Sequence, residues 1–425
     1  MSPKIHVSPG ARGIAWTFTL VYFASYLLRI NFAVMIVKIC AEMALPKSSL
    51  AVVVTALTVA YGIGQVISGL MGDKIKPQLM LTVGIGVAVA CNLAMFFAQT
   101  VPVMTAVWCI NGFAHAMLWP PMVRMMSTYL QDSEYSYAVV RVSCGSSIAT
   151  ILLYLGCPLL LKLTDWRTIM LICAACGLLI LVFWVIVSPR LFAQGATVKK
   201  QERQEKAPGE HLPLPRFVIL PTVLIMLGII LQGVLRDGVT NWMPSFLNET
   251  FGMPEENAIF STVILAIFSM VSFMAFDFVQ RKWFQNEVFC AAMIFVLSGI
   301  CSAVLYVTNL LGGAAFVTML LMAVIVACMH GVNLMLISVV PKRFLKTGKV
   351  STFSGILNAC TYIGASLSTY GFAALAERFG WSFTILMWVV VSVLGVAVCL
   401  CATPRWRRFR RDFADVESLK KESDK

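Results

Sequence analysis

Long runs of apolar residues, separated by short polar segments, follow one another along the whole chain. An α-helix needs about 20 apolar residues to cross the hydrocarbon core of a bilayer. Runs of this length predict twelve membrane-spanning helices, near residues 14–38, 50–71, 79–99, 102–126, 138–161, 167–188, 217–244, 258–280, 287–308, 313–340, 349–376 and 381–402. The alternation typical of a transmembrane β-barrel is not found. The sequence therefore predicts an all-α membrane protein.

Composition agrees with this prediction and excludes a chain of soluble domains. Of the 425 residues, 59% are hydrophobic and only 12% are charged, whereas about a quarter are charged in soluble domains. The first apolar run is longer than that of a cleavable signal peptide and contains Arg29, so we expect a retained first span.

Basic residues exceed acidic ones by 13, which in a soluble protein would suggest nucleic-acid binding. Their placement has another explanation. If both termini are cytoplasmic, 25 of the 33 Lys and Arg residues lie on the cytoplasmic side and five on the outer side. This asymmetry is the positive-inside rule. We expect the lipid bilayer as a partner and no nucleic acid, although the basic tail could also contact anionic lipid.

The two halves of the chain echo each other. Three pairs of positions recur in the same order, 204 to 215 residues apart: Arg29 with Arg236, Asp73 with Asp277, and Trp166 with Trp381. Such a repeat indicates a duplicated six-span unit, an architecture typical of transporters. We predict an N-terminal six-helix bundle (1–188), a flexible, proline-containing cytoplasmic linker (189–216), a C-terminal six-helix bundle (217–402) and a basic cytoplasmic tail (403–425).

A short loop with a distinctive composition follows span two. Gly69-Leu70-Met71-Gly72-Asp73-Lys74 resembles the loop signature of the major facilitator superfamily. Its two glycines let helices approach closely. Asp73 is expected to accept helix-end amides or a basic partner and to form a latch, with Asp277 as its counterpart. The alternative is an ordinary acidic-basic loop.

Three arginines remain within the spans: Arg29, Arg141 and Arg236. An arginine at mid-membrane costs about 2.5–3.5 kcal/mol and normally faces a cavity or a partner. By the repeat, Arg29 and Arg236 should face each other across a central pathway. Asp237 adjoins Arg236, but adjacent residues on a helix point in different directions, so we expect both arginines to lack a full set of carboxylate partners.

Such a pair of guanidinium groups predicts a binding site for an oxyanion. Snorkelling or an interhelical ion pair is the alternative, and for Arg141 snorkelling and a functional role both stay open. Tyr22, Tyr26 and Arg29 share one helical face. The other polar or aromatic candidates for the lining are Tyr61, Gln65, His115, Trp119, Gln232, His330, Asn333, Asn358 and Tyr362. For the two histidines, a packing or hydrogen-bonding role is the favoured alternative.

Catalytic and cofactor motifs are not found. The chain shows no Gly-rich phosphate loop, nucleophile elbow or metal-ligand spacing, and its 13 cysteines lie almost wholly in the spans. We expect no metal, no cofactor and no enzymatic activity. The spans show no chain of Asp, Glu and His residues that could relay protons. This favours anion exchange over proton coupling.

Two stretches carry a closer resemblance. Tyr26-Leu27-Leu28-Arg29-Ile30-Asn31-Phe32-Ala33 and Asn111-Gly112-Phe113-Ala114-His115-Ala116-Met117-Leu118-Trp119-Pro120-Pro121 are similar to span one and span four of organophosphate:phosphate antiporters, which include glycerol-3-phosphate and hexose-phosphate transporters. The resemblance covers nearly the whole chain and implies the major facilitator fold. It also implies that Arg29 and Arg236 clasp the substrate phosphate, near Tyr22, Tyr26, Tyr61 and Trp119.

Departures from that pattern concern the lining. A lysine of the glycerol-3-phosphate antiporter is replaced by Gln65, a span-five histidine by Ser146, and a tyrosine before the span-seven arginine by Gly233. The resemblance therefore implies a different organophosphate, or an anion that is not a phosphate ester.

The sequence thus predicts a monomeric secondary transporter of a bacterial inner membrane that exchanges a small organic anion for inorganic phosphate. Two alternatives stay open: a proton-coupled carrier of a carboxylate or sugar acid, and a membrane sensor of phosphate esters.

Overall fold

The computed structural model describes residues 7–45, 47–204, 213–254 and 261–411. All regular structure in these residues is helical, as the sequence predicts. The α-helices are α1 Pro9–Met43, α2 Lys47–Gly72, α3 Pro77–Phe97, α4 Val101–Ala116, α5 Trp119–Tyr129, α6 Asp132–Leu160, α7 Trp166–Gln204, α8 Ile219–Phe251, α9 Val263–Trp283, α10 Glu287–Leu310, α11 Ala315–Asn333 and α12 Val350–Phe409.

Eleven helical segments of the described residues are long and apolar enough to cross a membrane. The predicted span four corresponds to α4 and α5 together, and predicted spans eleven and twelve both lie in α12. The count of twelve spans and the cytoplasmic side of both termini stay predictions.

The helix of span four is interrupted between α4 and α5. Pro120 and Pro121 follow Trp119 in the first turn of α5. Proline has no amide hydrogen, so the carbonyl groups one turn earlier lose their helical partners. A tighter turn forms there, in which the Met117 N–H donates to the oxygen three residues earlier, Ala114 O, at 3.2 Å. This break places Trp119 at the beginning of a new helix.

A second interruption lies inside α12. Gly380 has φ 79° and ψ 173°, which is not helical. Glycine adopts this left-handed region of φ without steric cost. The break falls between the predicted spans eleven and twelve. Directly after it, the Trp381 indole donates to Glu249 Oε2 at 2.8 Å.

Span ten does not end as a regular α-helix. A π-helix, Leu334–Val339, and a 3₁₀ helix, Val340–Thr347, follow α11. Pro341 has no amide hydrogen to offer the carbonyl of Ile337, so the α-helical pattern cannot continue through this point. The pattern of apolar residues does not predict this change of helix type, which in other proteins often accompanies functional sites.

The predicted linker 189–216 differs from the structure in its first part. Helix α7 continues to Gln204. Pro189 lies inside this helix. The last residues before its end, 199–204, are all Lys, Gln, Glu or Arg, which favour helix formation, and the other prolines of the segment come after Gln204. Residues 205–212 of the linker, and 412–425 of the predicted tail, lie outside the described residues.

The chain forms two compact units. The first comprises Met1–Leu212 with Gly348–Ile356, and the second comprises Pro213–Thr347 with Leu357–Lys425. In the first unit α1 packs against α6 and α7, α2 against α4, and α3 against α4 and α7. In the second unit α11 packs against α8, α9 and α10. The assignment of residues 348–356 to the first unit was not predicted.

A buried carboxylate joins three helical segments of the second unit. Glu287, at the start of α10, is 0% exposed. It accepts hydrogen bonds from Arg343 Nε at 3.2 Å and from Trp406 Nε1 at 3.1 Å. Arg410 Nη1 lies 3.1 Å from its other oxygen. Two guanidinium groups and an indole thus compensate the loss of water around this charge.

Candidate functional site

Arg29 lies within a group of aromatic side chains in the first unit. Its guanidinium carbon is 4.5 Å from the ring centroid of Tyr26 and 4.8 Å from that of Tyr61. The Tyr22 ring lies 5.2 Å from Tyr26 and 5.1 Å from Trp119. The structure therefore brings together five of the predicted lining residues. Cation–π contacts of this kind fix the plane of a guanidinium group.

Two further candidates of this unit form hydrogen bonds between helices. His115 is 1% exposed, and its Nδ1 and Nε2 each lie 2.8 Å from a backbone oxygen, of Asn111 and Ser25 respectively. Gln65 Nε2 donates to Ala116 O at 3.4 Å. For His115 this is the hydrogen-bonding role that the sequence left open.

The Ser146 side chain forms a hydrogen bond within its own helix and not with the Arg29 group. Its hydroxyl donates to Ser143 O of the same helix, α6, at 2.7 Å. Arg141, also on α6, contacts the rings of Tyr137 at 4.5 Å and Trp16 at 5.2 Å. The third intramembrane arginine is therefore held by aromatic faces, as Arg29 is.

Three buried asparagines near Arg29 were not predicted as site residues. Asn31, Asn92 and Asn111 are each 0% exposed, and they lie on α1, α3 and α4. Asn92 and Asn111 both donate to the carbonyl of Leu28, at 2.9 and 3.1 Å. The signal in the sequence was an amide side chain within each of three apolar spans.

Arg236, in the second unit, has a carboxylate partner. Its Nε donates to Asp237 Oδ1 at 3.0 Å and its Nη2 donates to Asp237 Oδ2 at 2.8 Å. The expectation that these neighbours would not pair was therefore wrong. Adjacent Cβ atoms do diverge on a helix, but the long arginine side chain bends back far enough for both of its donors to meet the carboxylate. The pair is a bidentate, charge-assisted contact.

Residues around Arg236 connect α8 to α11. Gln232, one turn before Arg236, donates from Nε2 to Met329 O at 3.1 Å. His330, which follows Met329, packs edge-on against Phe273 with ring centroids 5.4 Å apart. Asn333 ends α11, directly before the π-helix. Asn358 and Tyr362 lie one turn apart on α12.

The loop after α2 meets the beginning of α12 inside the first unit. Asp73 accepts from the backbone N–H groups of Ser351 and Thr352, at 2.9 Å each. These amides would otherwise be unsatisfied at a helix N-terminus, where a negative charge is also favoured. A Cβ on Gly69 would lie 2.9 Å from Ser351 O. At Lys74, the backbone N–H donates to Met71 O at 2.9 Å and helps to end α2.

Two further charged residues, Arg124 and Asp277, form contacts near the ends of α2 and α9. Arg124, in the middle of α5, donates to the Gly72 carbonyl at the end of α2. Asp277 forms an ion pair with Arg281, one turn later on α9. The aspartates that correspond in the repeat therefore have different partners: helix amides for Asp73 and an arginine side chain for Asp277.

A family model for the Major Facilitator Superfamily matches residues 18–369 of this sequence. The chain belongs to the Major Facilitator Superfamily. A solved proton:xylose symporter of the superfamily shares the fold with a TM-score of 0.74 at 15% identity, over 95% of this chain and 96% of that one.

Relatives in the superfamily carry more specific names. The glycerol-3-phosphate transporter of Bacillus subtilis is 22% identical over 88% of both chains. A probable hexose phosphate transport protein of Chlamydia trachomatis is 21% identical over 96% of this chain and 92% of its own. The membrane sensor protein UhpC of Salmonella typhimurium is 19% identical over 92% of this chain and 90% of its own.

These comparisons confirm the predicted resemblance to organophosphate:phosphate antiporters. The chain is a membrane transporter of this superfamily and not an enzyme. It is an integral, multi-pass protein of the type found in bacterial inner membranes.

Proposed function

We propose that this superfamily member exchanges a small organic anion, an organophosphate, for inorganic phosphate by alternating access. The observation that carries the proposal is the arrangement around Arg29, a half-buried arginine within a membrane span whose guanidinium lies against the rings of Tyr26 and Tyr61. Placing an arginine within a membrane span costs free energy, so such a residue normally faces a water-filled cavity or a charged partner. Arginine is also the side chain best suited to hold a phosphate group through two parallel hydrogen bonds.

Arg236 is the second proposed ligand, because it occupies the corresponding position of the repeat. Both oxygens of Asp237 accept hydrogen bonds from the Arg236 guanidinium, so a phosphate must compete with this carboxylate. We propose that a bound dianion offsets the repulsion between the two arginines and favours the state in which access switches. The empty carrier then reorients slowly, and exchange follows.

The lining supports a substrate different from that of the glycerol-3-phosphate antiporter. At Gly233, a Cβ would lie 2.3 Å from Thr361 O, so the chain has no room there for the tyrosine of that antiporter. The amide of Gln65 is committed to Ala116 O and supplies no positive charge in place of the lysine. We propose that the substrate is a phosphate ester whose organic part carries no charge near Gly233 and Gln65, where the antiporter has a tyrosine and a lysine.

Exchange is tested in proteoliposomes that contain the purified protein and inorganic phosphate. A thermal-shift screen of phosphate esters first identifies a ligand, because a compound that binds the folded state raises its melting temperature. Uptake of that labelled ester is then measured with and without internal phosphate. The proposal predicts rapid uptake only when phosphate is inside. Equal uptake from phosphate-free vesicles would contradict it.

The same vesicles distinguish the alternative functions. A proton-coupled carrier would take up its substrate under a pH gradient and stop when an uncoupler is added. A sensor is favoured by one observation, the similarity to UhpC. A sensor would bind the ester in the thermal-shift screen and show no flux. We further propose that the protein works as a monomer with both termini in the cytoplasm, and that Asp73 acts as a latch at the start of α12.

A further inference from the structure

Four buried polar side chains converge on the turn of α1 that carries Arg29. They are Asn31, Asn92, Asn111 and His115, each at most 1% exposed. They come from three helices of the first unit, α1, α3 and α4. Their hydrogen bonds reach the α1 backbone and one another. Further contacts go to backbone oxygens of their own helices and to the Met170 sulfur.

Two backbone carbonyls of α1 next to Arg29, those of Leu28 and Ser25, contact side chains of other helices. Leu28 O accepts from Asn92 Nδ2 at 2.9 Å and from Asn111 Nδ2 at 3.1 Å. Ser25 O lies 2.8 Å from His115 Nε2. In an α-helix these two carbonyls belong to the turn that ends at Arg29 and to the turn that follows it. Side chains from α3 and α4 therefore hold the α1 backbone directly beside the arginine.

Asn31 connects this set to α1 itself. Its Nδ2 donates to Asn92 Oδ1 at 2.7 Å, while its Oδ1 accepts from the Phe32 N–H at 2.9 Å. The amides thus form a chain from the Phe32 backbone, through Asn31 and Asn92, to the Leu28 carbonyl. A shift of α1 would break these hydrogen bonds and leave buried polar groups without partners, so the network favours one position of this turn.

We propose that Asn31, Asn92, Asn111 and His115 form a positioning bracket, which fixes the rotation and depth of the α1 turn that carries Arg29. The proposal rests on the proposed role of Arg29 in anion binding. A group about 6 Å from a helix axis moves by about 1 Å when the helix rotates by about 10°. Displacements of this size are enough to lower the efficiency of a binding or catalytic site strongly.

The bracket is tested with inorganic phosphate as the probe, because no organic ligand is needed for phosphate self-exchange. Asn92→Leu removes the central member and Asn111→Ala removes one of the two donors to Leu28 O. In Asn111→Ala the Leu28 carbonyl still accepts from Asn92, so this buried oxygen keeps a partner and the variant is expected to fold. Thr82→Val is the matched control: on the same helix, α3, it removes a hydrogen bond from Trp184, at 3.0 Å, that does not involve α1.

Misplacement of Arg29 is expected to raise the half-saturating phosphate concentration about tenfold in Asn92→Leu and several-fold in Asn111→Ala, with the maximal rate changed by less than about twofold. Thr82→Val should leave both quantities unchanged. A loss of maximal rate at constant half-saturation would contradict a positioning role.

A second readout does not depend on transport. The rate at which phenylglyoxal modifies Arg29 is followed by peptide mass spectrometry in the full-length protein, with Arg141 as the internal reference. The bracket predicts faster modification of Arg29 in both asparagine variants and an unchanged rate at Arg141. If Arg29→Ala still exchanged phosphate, the proposed function would be wrong while this readout still tested the bracket. Unchanged phosphate affinity and unchanged Arg29 reactivity in both variants would overturn it.

Discussion

At the scale of single residues, Arg29 and Arg236 occupy matching positions of the repeat but have different surroundings. Arg29 lies against two tyrosine rings, whereas Arg236 is bound at its edge by both oxygens of Asp237. An aromatic face and a carboxylate act differently on an incoming anion. The ring contacts the guanidinium plane, while the carboxylate uses the same N–H groups that an oxyanion would use.

Asp237 is therefore expected to compete with the anion for Arg236. In Asp237→Asn, the amide keeps the shape of the carboxylate but loses its charge, so phosphate should bind the purified protein more tightly, and exchange should be slower because release is slower. Isothermal titration with phosphate and the exchange rate in vesicles measure the two effects. Weaker phosphate binding in Asp237→Asn would show that Asp237 supports the site instead of competing with its ligand.

At the scale of helices, α8 and the first part of α12 cross in close contact just before Arg236. A Cβ on Gly364 would lie 2.1 Å from Ile230 O and 2.8 Å from Val234 N, and a Cβ on Gly233 would lie 2.3 Å from Thr361 O. Small residues at a crossing let two backbones approach within a membrane. The position of the Arg236 turn thus depends on two glycines that bind nothing themselves.

Gly364→Ala is predicted to destabilise this crossing. The added methyl group meets backbone atoms that cannot move aside cheaply, and overpacking of this kind costs about 1–3 kcal/mol. The melting temperature in detergent should fall, and phosphate affinity should fall with it. Gly371→Ala, on the same helix, is the control because a Cβ there meets nothing within 4 Å. Equal melting temperatures for the two variants would argue against a tight crossing.

The sequence predicted helices better than it predicted their interruptions and contacts. Long apolar runs identify a span because the bilayer requires internally satisfied backbone groups over a fixed length. Pro120 and Pro121 were visible signals for the break in span four. Pro341 likewise indicates that the α-helix of span ten cannot continue, but a proline does not specify that a π-helix, Leu334–Val339, precedes it.

Contacts between side chains were harder to predict than the positions of the residues. Tyr22, Tyr26 and Arg29 were expected on one face from spacing alone, and the structure places Trp119 beside them. The pairing of Arg236 with Asp237 was missed because a rule about Cβ directions ignores the length of the arginine side chain. The amide network around Leu28 O was missed because partners 61 to 83 residues apart cannot be matched without the fold.

At the scale of the whole molecule, the two sequence repeats have diverged in their charge pairs. In the first unit Asp73 binds the amides at the start of α12. In the second unit Asp277 pairs with Arg281. The buried Glu287 forms ion pairs with Arg343 and Arg410 and accepts a hydrogen bond from Trp406. Duplication therefore preserves the helices and the two arginines more closely than it preserves the ion pairs at helix ends.

Glu287 is predicted to be important for stability of the folded protein. Glu287→Gln leaves two arginines beside a neutral amide, and the loss of one partner from a buried ion pair costs about 3–5 kcal/mol. The melting temperature should fall well below that of Glu249→Gln, which removes a hydrogen bond to Trp381 at an exposed carboxylate. Similar melting temperatures for both variants would contradict a structural role for the Glu287 cluster.

Arg29 and Arg236 are proposed to bind phosphate during exchange. Self-exchange of radiolabelled phosphate across vesicles loaded with unlabelled phosphate tests it most directly, since it requires no knowledge of the organic substrate. We expect rapid exchange by the unaltered protein and a loss of about a hundredfold or more in Arg29→Ala and in Arg236→Ala. Exchange should be near normal in Arg141→Ala, which removes an intramembrane arginine that also contacts two aromatic rings. Undiminished exchange by Arg29→Ala or Arg236→Ala would contradict the account.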